Sequence, residues 1–161
     1  MQKIAPCLWF DGNAEEAARF YTSVFSNSRI ATSMHYTDAG PGPEGRVLAI
    51  TFELEGQEFM ALNGGPQYTF SPAISLFVHC ASQQEIDSYW AKLSDGGTPW
   101  QCGWIQDKFG VSWQIVPDVL GQMLRDPDTA KASRVMQAMM KMVKLDIALL
   151  EQAYRGGRRE L

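Results

Sequence analysis

The sequence predicts an α+β chain, two tandem βαβββ modules followed by a C-terminal helical extension. Three observations predict it. A short apolar segment followed by an amphipathic segment with helical spacing occurs twice. Each copy is followed by three short strand-like segments separated by Gly- and Pro-containing turns. The end of the chain carries apolar residues at helical spacing and no strand pattern.

In the first module, residues 4–10 are an apolar run closed by Asp11-Gly12 and read as a buried strand. Asn13 and Glu16 have capping-box spacing: the Asn side chain would accept an orphan N–H while Glu16 reaches back. Ala14, Ala17, Ala18, Tyr21, Val24 and Phe25 share one face, so 13–25 is an amphipathic helix. Strands are expected at 29–36, 46–54 and 57–62, the last two joined by the hairpin signal Glu55-Gly56. The loop 38–45, DAGPGPEG, is not a phosphate cradle, because its prolines lack the N–H groups that a phosphate needs.

The second module repeats the pattern. Residues 74–80 form a strand, Ser82 and Glu85 a second capping box, and Ile86, Tyr89, Trp90 and Leu93 a second apolar helical face. At a constant offset of 69, Asn13 falls on Ser82, Glu16 on Glu85, Ala17 on Ile86, Phe20 on Tyr89, Tyr21 on Trp90 and Val24 on Leu93. The match of both caps and the paired aromatics indicates an internal duplication. Strands follow at 98–101, 104–106 and 112–116, with a turn at Asp107 to Gly110. On 112–116, Trp113 and Ile115 share one face, and Ser112, Gln114 and Val116 share the other.

The remainder is helical. Residues 119–124 form a short helix. A long one starts at Asp126-Pro127-Asp128, with proline in its first turn, and runs to Gly156-Gly157. Ala132, Val135, Met136, Met139, Met140 and Val143 begin its apolar stripe, and Leu145 to Tyr154 continue it; the methionines read as helix core or dimer seam. The expected divisions are a first module at 1–62, a linker at 63–72, a second module at 73–117 and helices at 118–161.

Composition restricts the function. The net charge of −4 over 161 residues argues against a nucleic-acid partner, and Arg155, Arg158 and Arg159 form too short a basic tail to reverse that. No apolar run reaches the roughly 18–20 residues of a membrane span. The N-terminal segment lacks the long apolar stretch of a signal peptide. Cys7, Cys80 and Cys102 are odd in number and show no C-x-x-C spacing, as expected of reduced thiols in a cytoplasmic protein.

Four stretches carry a family resemblance: LWFDGNAEEAARFYTSVF at 8–25, FVHCASQQEIDSYWAKLSDGG at 77–97, CGWIQDKFGVSWQIVPDVL at 102–120 and DPDTAKASRVMQAMMKMVKLDIALLEQAY at 126–154. With these the chain resembles the vicinal oxygen chelate superfamily of glyoxalases, bleomycin-resistance proteins and extradiol dioxygenases. Within it the chain looks like the PhnB-like branch, often labelled 3-demethylubiquinone-9 3-methyltransferase. The tail at 126–154 is the most specific of the four stretches, since the wider superfamily lacks it. The resemblance implies curled sheets around a cavity and a homodimer.

Metal-using members take a His from the first strand of a module and a Glu from its last. Here the first-strand positions fall within 4–6 and 73–75, which hold no His, and the last-strand positions fall on Met60 and Gln114. No metal and no cofactor are therefore expected. The methyltransferase label is not expected to hold either: Gly12-Asn13 is no glycine-rich cofactor turn, and two acidic residues follow it in the first helical turn.

Two functions follow. The first is a binding protein whose cavity takes a small organic molecule, with Gln114, Met60, Trp104, Tyr36, His35 and Cys102 as the ligand-contacting set. Trp9 and Phe59 read as core. The alternative is a lyase or isomerase of glyoxalase or dioxygenase type, using a side-chain acid or base among Glu53, Glu58, His35, His79 and Cys102 instead of a metal; Glu53 and Glu58, flanking a hairpin, read as a solvated surface pair. An ionisable side chain inside the cavity would favour chemistry over binding.

Overall fold

A computed structural model describes residues 1–156 of the chain as two compact units, one of Met1–Phe70 and one that begins at Ser71. The first contains β1 (Cys7–Phe10), α1 (Ala14–Val24), β2 (Arg29–His35), β3 (Val47–Leu54) and β4 (Gln57–Asn63). Its sheet runs β1-β4-β3-β2, with β1 parallel to β4 and the other pairs antiparallel. Glu55 and Gly56 both have positive φ, 48° and 81°, as a two-residue hairpin turn requires.

One sheet face is covered by α1. Ala14, Ala17 and Ala18 let the helix approach closely, and Tyr21 stacks on Phe52, which stacks on Phe59. Phe59 is therefore core, as its sequence context predicts. Residues 4–6 fall outside β1, and Ile4 is exposed.

The first capping box does not form. Asn13 makes no side-chain cap bond; Ala14 N–H donates instead to Asn63 Oδ1 at 2.9 Å, and Asn63 Nδ2 donates to the Val47 carbonyl. A residue from the end of β4 has taken the role that spacing assigns to Asn13. The second capping box does form, with Glu85 N–H donating to Ser82 Oγ and Ala81 N–H to Glu85 Oε2.

The second unit repeats the topology with β5 (Ser75–Cys80), α2 (Gln83–Ser94), β6 (Thr98–Pro99), β7 (Trp104–Gln106) and β8 (Ser112–Pro117), in the order β5-β8-β7-β6. The constant offset needs correction. Phe10 and Cys80 each end a strand buried against the helix, and they lie 70 residues apart, whereas the helices start at Ala14 and Gln83, 69 apart. The strand-to-helix turn is one residue shorter in the second copy, so His79 corresponds in facing to Trp9 and not to Phe10. β6 is also shorter than expected: a 3-10 turn at Gln101–Gly103 ends it, with Cys102 and Gly103 at φ 61° and 83°.

Beyond β8 come α3 (Asp118–Leu124), α4 (Thr129–Met139) and α5 (Ile147–Arg155), packed around Val116, Leu120, Met123, Val135, Leu145 and Leu150. The single long helix of the sequence reading is thus two. Cys102 and Gly103 donate their N–H groups to the carbonyls of Met142 and Val143, drawing that segment out of helix. Gln83 clamps the restart, donating to the Leu145 carbonyl and accepting from Ile147 N–H. Asp146 then caps α5. Asp128 caps α4, which leaves Pro127 just before the helix and not in its first turn. Met139 and Met142 pack on the core, while Met136 and Met140 are exposed. Gly156 ends α5 in the left-handed conformation expected of it; Gly157, Arg158 and Arg159 lie outside the described residues.

Candidate functional site

The site follows from the register of three strands. β8 is central, and both Phe77 on β5 and Trp104 on β7 lie opposite Gln114. Residues in register share a face, so Phe77, Gln114 and Trp104 form one row across the sheet. Trp113 and Ile115, on the opposite face, are buried under α2. His79 extends the open face by one row, beside Val116.

Gln114 is held in place by its Nε2, which donates to Ser75 Oγ at 2.9 Å; its Oε1 accepts no hydrogen bond among the described residues. Over this face lies a cavity of about 580 Å³. Phe77, His79, Trp104 and Gln114 line it from the sheet, Cys102 from the 3-10 turn, and residues such as Asp118, Gly121, Arg125 and Met139 from the helices. The cavity is therefore a product of sheet and tail together.

Its ionisable groups are unevenly engaged. His79 Nδ1 is 3.3 Å from Asp118 Oδ1, with both side chains more than half exposed. The Phe77 and His79 rings are in contact, their centroids 4.8 Å apart. Arg125 makes no ion pair or side-chain hydrogen bond among the described residues. Cys102 holds a left-handed conformation uncommon for a residue with a side chain, and its Sγ lies 3.9 Å from Met140 Sδ. Cys80, next to His79, points the other way into the core; burial and then the carboxylates of Glu85 and Asp118 push its thiol up to about 12. Adjacent strand positions separate His79 from Cys80, as alternation requires.

Of the six residues expected to meet a ligand, Gln114, Trp104 and Cys102 line this cavity. His35 and Tyr36 line a separate hollow of about 340 Å³ in the first unit, with Trp9, Leu48 and Leu62. There the Tyr36 hydroxyl donates to the Asn63 carbonyl, and its ring lies so close to Gly42 that a Cβ there would meet it at 2.5 Å. Tyr36 thus anchors the 38–45 loop. Met60 lines neither hollow; it sits half-buried beside Cys7. Among the catalytic candidates, Glu53 pairs with Arg29, and Glu58 accepts from Gln2 N–H.

Sequence spacing alone does not single out Phe77, Asp118 or Arg125. A usable signal was present: Phe77 and His79 alternate with the apolar Leu76 and Val78, and Gly121 and Arg125 are one helical turn apart.

A metal of the superfamily type does not fit these residues. The last-strand positions offer a thioether and an amide, and the nearest first-strand partner to Gln114 is the Ser75 hydroxyl. Among the described residues no group of three or more His, Cys, Asp or Glu is placed to hold a metal ion. Such a donor set lacks the imidazole and carboxylate that Zn, Ni, Mn or Fe would require.

A family model described as 3-demethylubiquinone-9 3-methyltransferase matches residues 2–116. A solved structure described as a putative 3-demethylubiquinone-9 3-methyltransferase, PhnB protein, from Bacillus cereus is 43% identical over 72% of this chain and 99% of its own, with a TM-score of 0.66. A protein from Pseudomonas aeruginosa, 20% identical over 73% of this chain and 98% of its own, has a TM-score of 0.61, a likeness of fold alone. No curated protein matches the chain. The family match ends at residue 116, so it rests on the two modules and not on the tail, which the sequence resemblance treats as its most specific stretch.

Proposed function

Since the chain belongs to the PhnB-like family described as 3-demethylubiquinone-9 3-methyltransferase, we propose that it is a metal-free binding protein holding a small, flat organic molecule on the open face of its second sheet. The observation that carries this reading is the row Phe77–Gln114–Trp104. Neighbouring strands are about 4.8 Å apart, so the backbones of β5 and β7 lie about 10 Å apart with β8 between them. A planar group laid over this row would meet an aromatic side chain on each side of the amide, and Gln114 Oε1 is available to fix its orientation.

The lyase or isomerase reading is supported by the His79–Asp118 pair, in which Asp118 holds Nδ1 and leaves Nε2 available as a base. It ranks second because side-chain exposures of 73% and 52% leave this pair open to water and not enclosed in the cavity. A methyltransferase reading has less support. The α1 N-terminus carries Glu15 and Glu16, and its Ala14 N–H already donates to Asn63, which leaves a poor seat for an anionic cofactor group. A homodimer and a cytoplasmic location go with the binding proposal. No helix among the described residues is long and apolar enough to cross a membrane.

Fluorescence titration against a panel of flat aromatic and quinonoid compounds tests the proposal. At least one is expected to quench tryptophan emission, and Gln114→Ala should weaken it about tenfold, the loss of one oriented hydrogen bond at ~1.4 kcal/mol. A panel without any response would overturn the binding reading. Chemical conversion of a bound compound, abolished by His79→Gln, would replace it with the enzyme reading.

A further inference from the structure

We infer, resting on the binding reading above, that the cavity of the second unit takes a planar organic anion, an aromatic or conjugated carboxylate whose charge is met by Arg125. The ionisable groups around the cavity are unequally engaged. Besides the Cys102 thiol, the ionisable groups that line it are His79, Asp118 and Arg125. His79 and Asp118 face each other at 3.3 Å. Asp126, the acid next to Arg125 in sequence, accepts from the Tyr154 hydroxyl and from Asp128 N–H. Arg125 is left with no carboxylate among the described residues, and a guanidinium is the side chain best shaped to grip one with two parallel bonds.

Placement points the same way. Gly121 lies one turn before Arg125, and a Cβ there would come within 3.0 Å of Arg125 Nη1. The absent side chain lets the guanidinium fold back along α3, where Gly121 and Arg125 both line the cavity. The flat part of the ligand is then served by Phe77 and Trp104, and its charge by the helix above. A volume of about 580 Å³ suits a ligand of this size. Arg125 is exposed, so screening by water limits its contribution to a moderate preference. Because it lies beyond residue 116, where the family match ends, the preference for an anion belongs to the tail of this chain and not to the shared modules.

The test compares cinnamate with cinnamamide, equal in shape and different in charge, by calorimetric titration of the full chain at low salt. The unmodified protein is expected to bind cinnamate about tenfold more tightly than the amide. Arg125→Gln should equalise the two without weakening the amide. Gly121→Ala, which favours the helix while displacing the guanidinium, should reduce the preference with no loss of thermal stability. Equal binding of acid and amide by the unmodified protein would overturn the anion inference and leave the flat-ligand reading standing. A preference that survives Arg125→Gln would overturn the assignment to Arg125. Failure to bind either probe would remove the flat-ligand reading, and the inference with it.

Discussion

Asp107 shows how one side chain fixes the turn that presents β8. It is only 3% exposed, yet Oδ1 accepts from Phe109 and Val111 N–H, and Oδ2 accepts from the Trp113 indole at 2.8 Å. Removing it would leave three donors without their acceptor, so Asp107→Ala is expected to cost about 3–5 kcal/mol, read from urea unfolding midpoints. A loss below about 1 kcal/mol would show that the turn is held by other means. Ser112 is the opposite case: its buried Oγ has no partner among the described residues, so Ser112→Ala should be neutral or slightly stabilising in the same assay. The turn itself is readable from D-x-x-G, but the bond from Asp107 to an indole six residues on is not, because spacing within a strand does not say which way a ring's N–H points. The thiols follow burial in the same way. Cys7 is exposed and Cys102 half-exposed, whereas Cys80 is buried with its thiol pushed up to about 12. An aromatic disulfide reagent is therefore expected to modify Cys7 and Cys102 in the native protein and Cys80 only after unfolding.

At the scale of elements, local signals were sufficient wherever the chain satisfies itself and failed where a distant group intervenes. The Ser82 box forms and the Asn13 box does not, although both have the same spacing, because Asn63 reaches the α1 N-terminus from β4. Apolar periodicity runs unbroken from Val135 to Leu150, yet the helix stops after Met139, since the left-handed Cys102-Gly103 turn takes the Met142 and Val143 carbonyls. Gln83→Ala should loosen the α5 start, lowering hydrogen-exchange protection there by about 1–2 kcal/mol while leaving α1 unchanged. The tail also carries a pH signature. The Tyr154 hydroxyl and then the Asp128 N–H hold the Asp126 carboxyl below its usual range, and Asp126 in turn raises Tyr154. A lowered carboxyl stabilises the fold above its ordinary value near 4 and loses that contribution as pH falls through the lower folded value. A raised phenol stabilises below about 10 and loses its contribution as pH rises through the higher folded value. Tyrosine circular dichroism of the tail is thus expected to be flat near neutrality and to change at both extremes, with both changes reduced in Asp126→Asn.

For the molecule as a whole, the duplication was legible because both copies must bury the same helix face on the same sheet topology. The one-residue difference between the copies was not, since a shorter strand-to-helix turn leaves the pattern within each element intact. Nor did the sequence reveal how differently the two copies are finished. In the first, the 38–45 loop closes on Tyr36. In the second, the open face of the sheet is roofed by the tail, which supplies Arg125 and Met139 to the cavity. Gln114 and Trp104 could be placed from strand alternation; their alignment with Phe77 required the pairing register. The most direct measurement of the central claim is a nitrogen–proton correlation spectrum of the five tryptophan indoles during titration with cinnamate. The Trp104 signal is expected to move in proportion to saturation while Trp113, bonded to Asp107 on the opposite face, stays in place. Movement confined to Trp9 in the first unit, or a Trp104 signal unmoved at saturation, would contradict it.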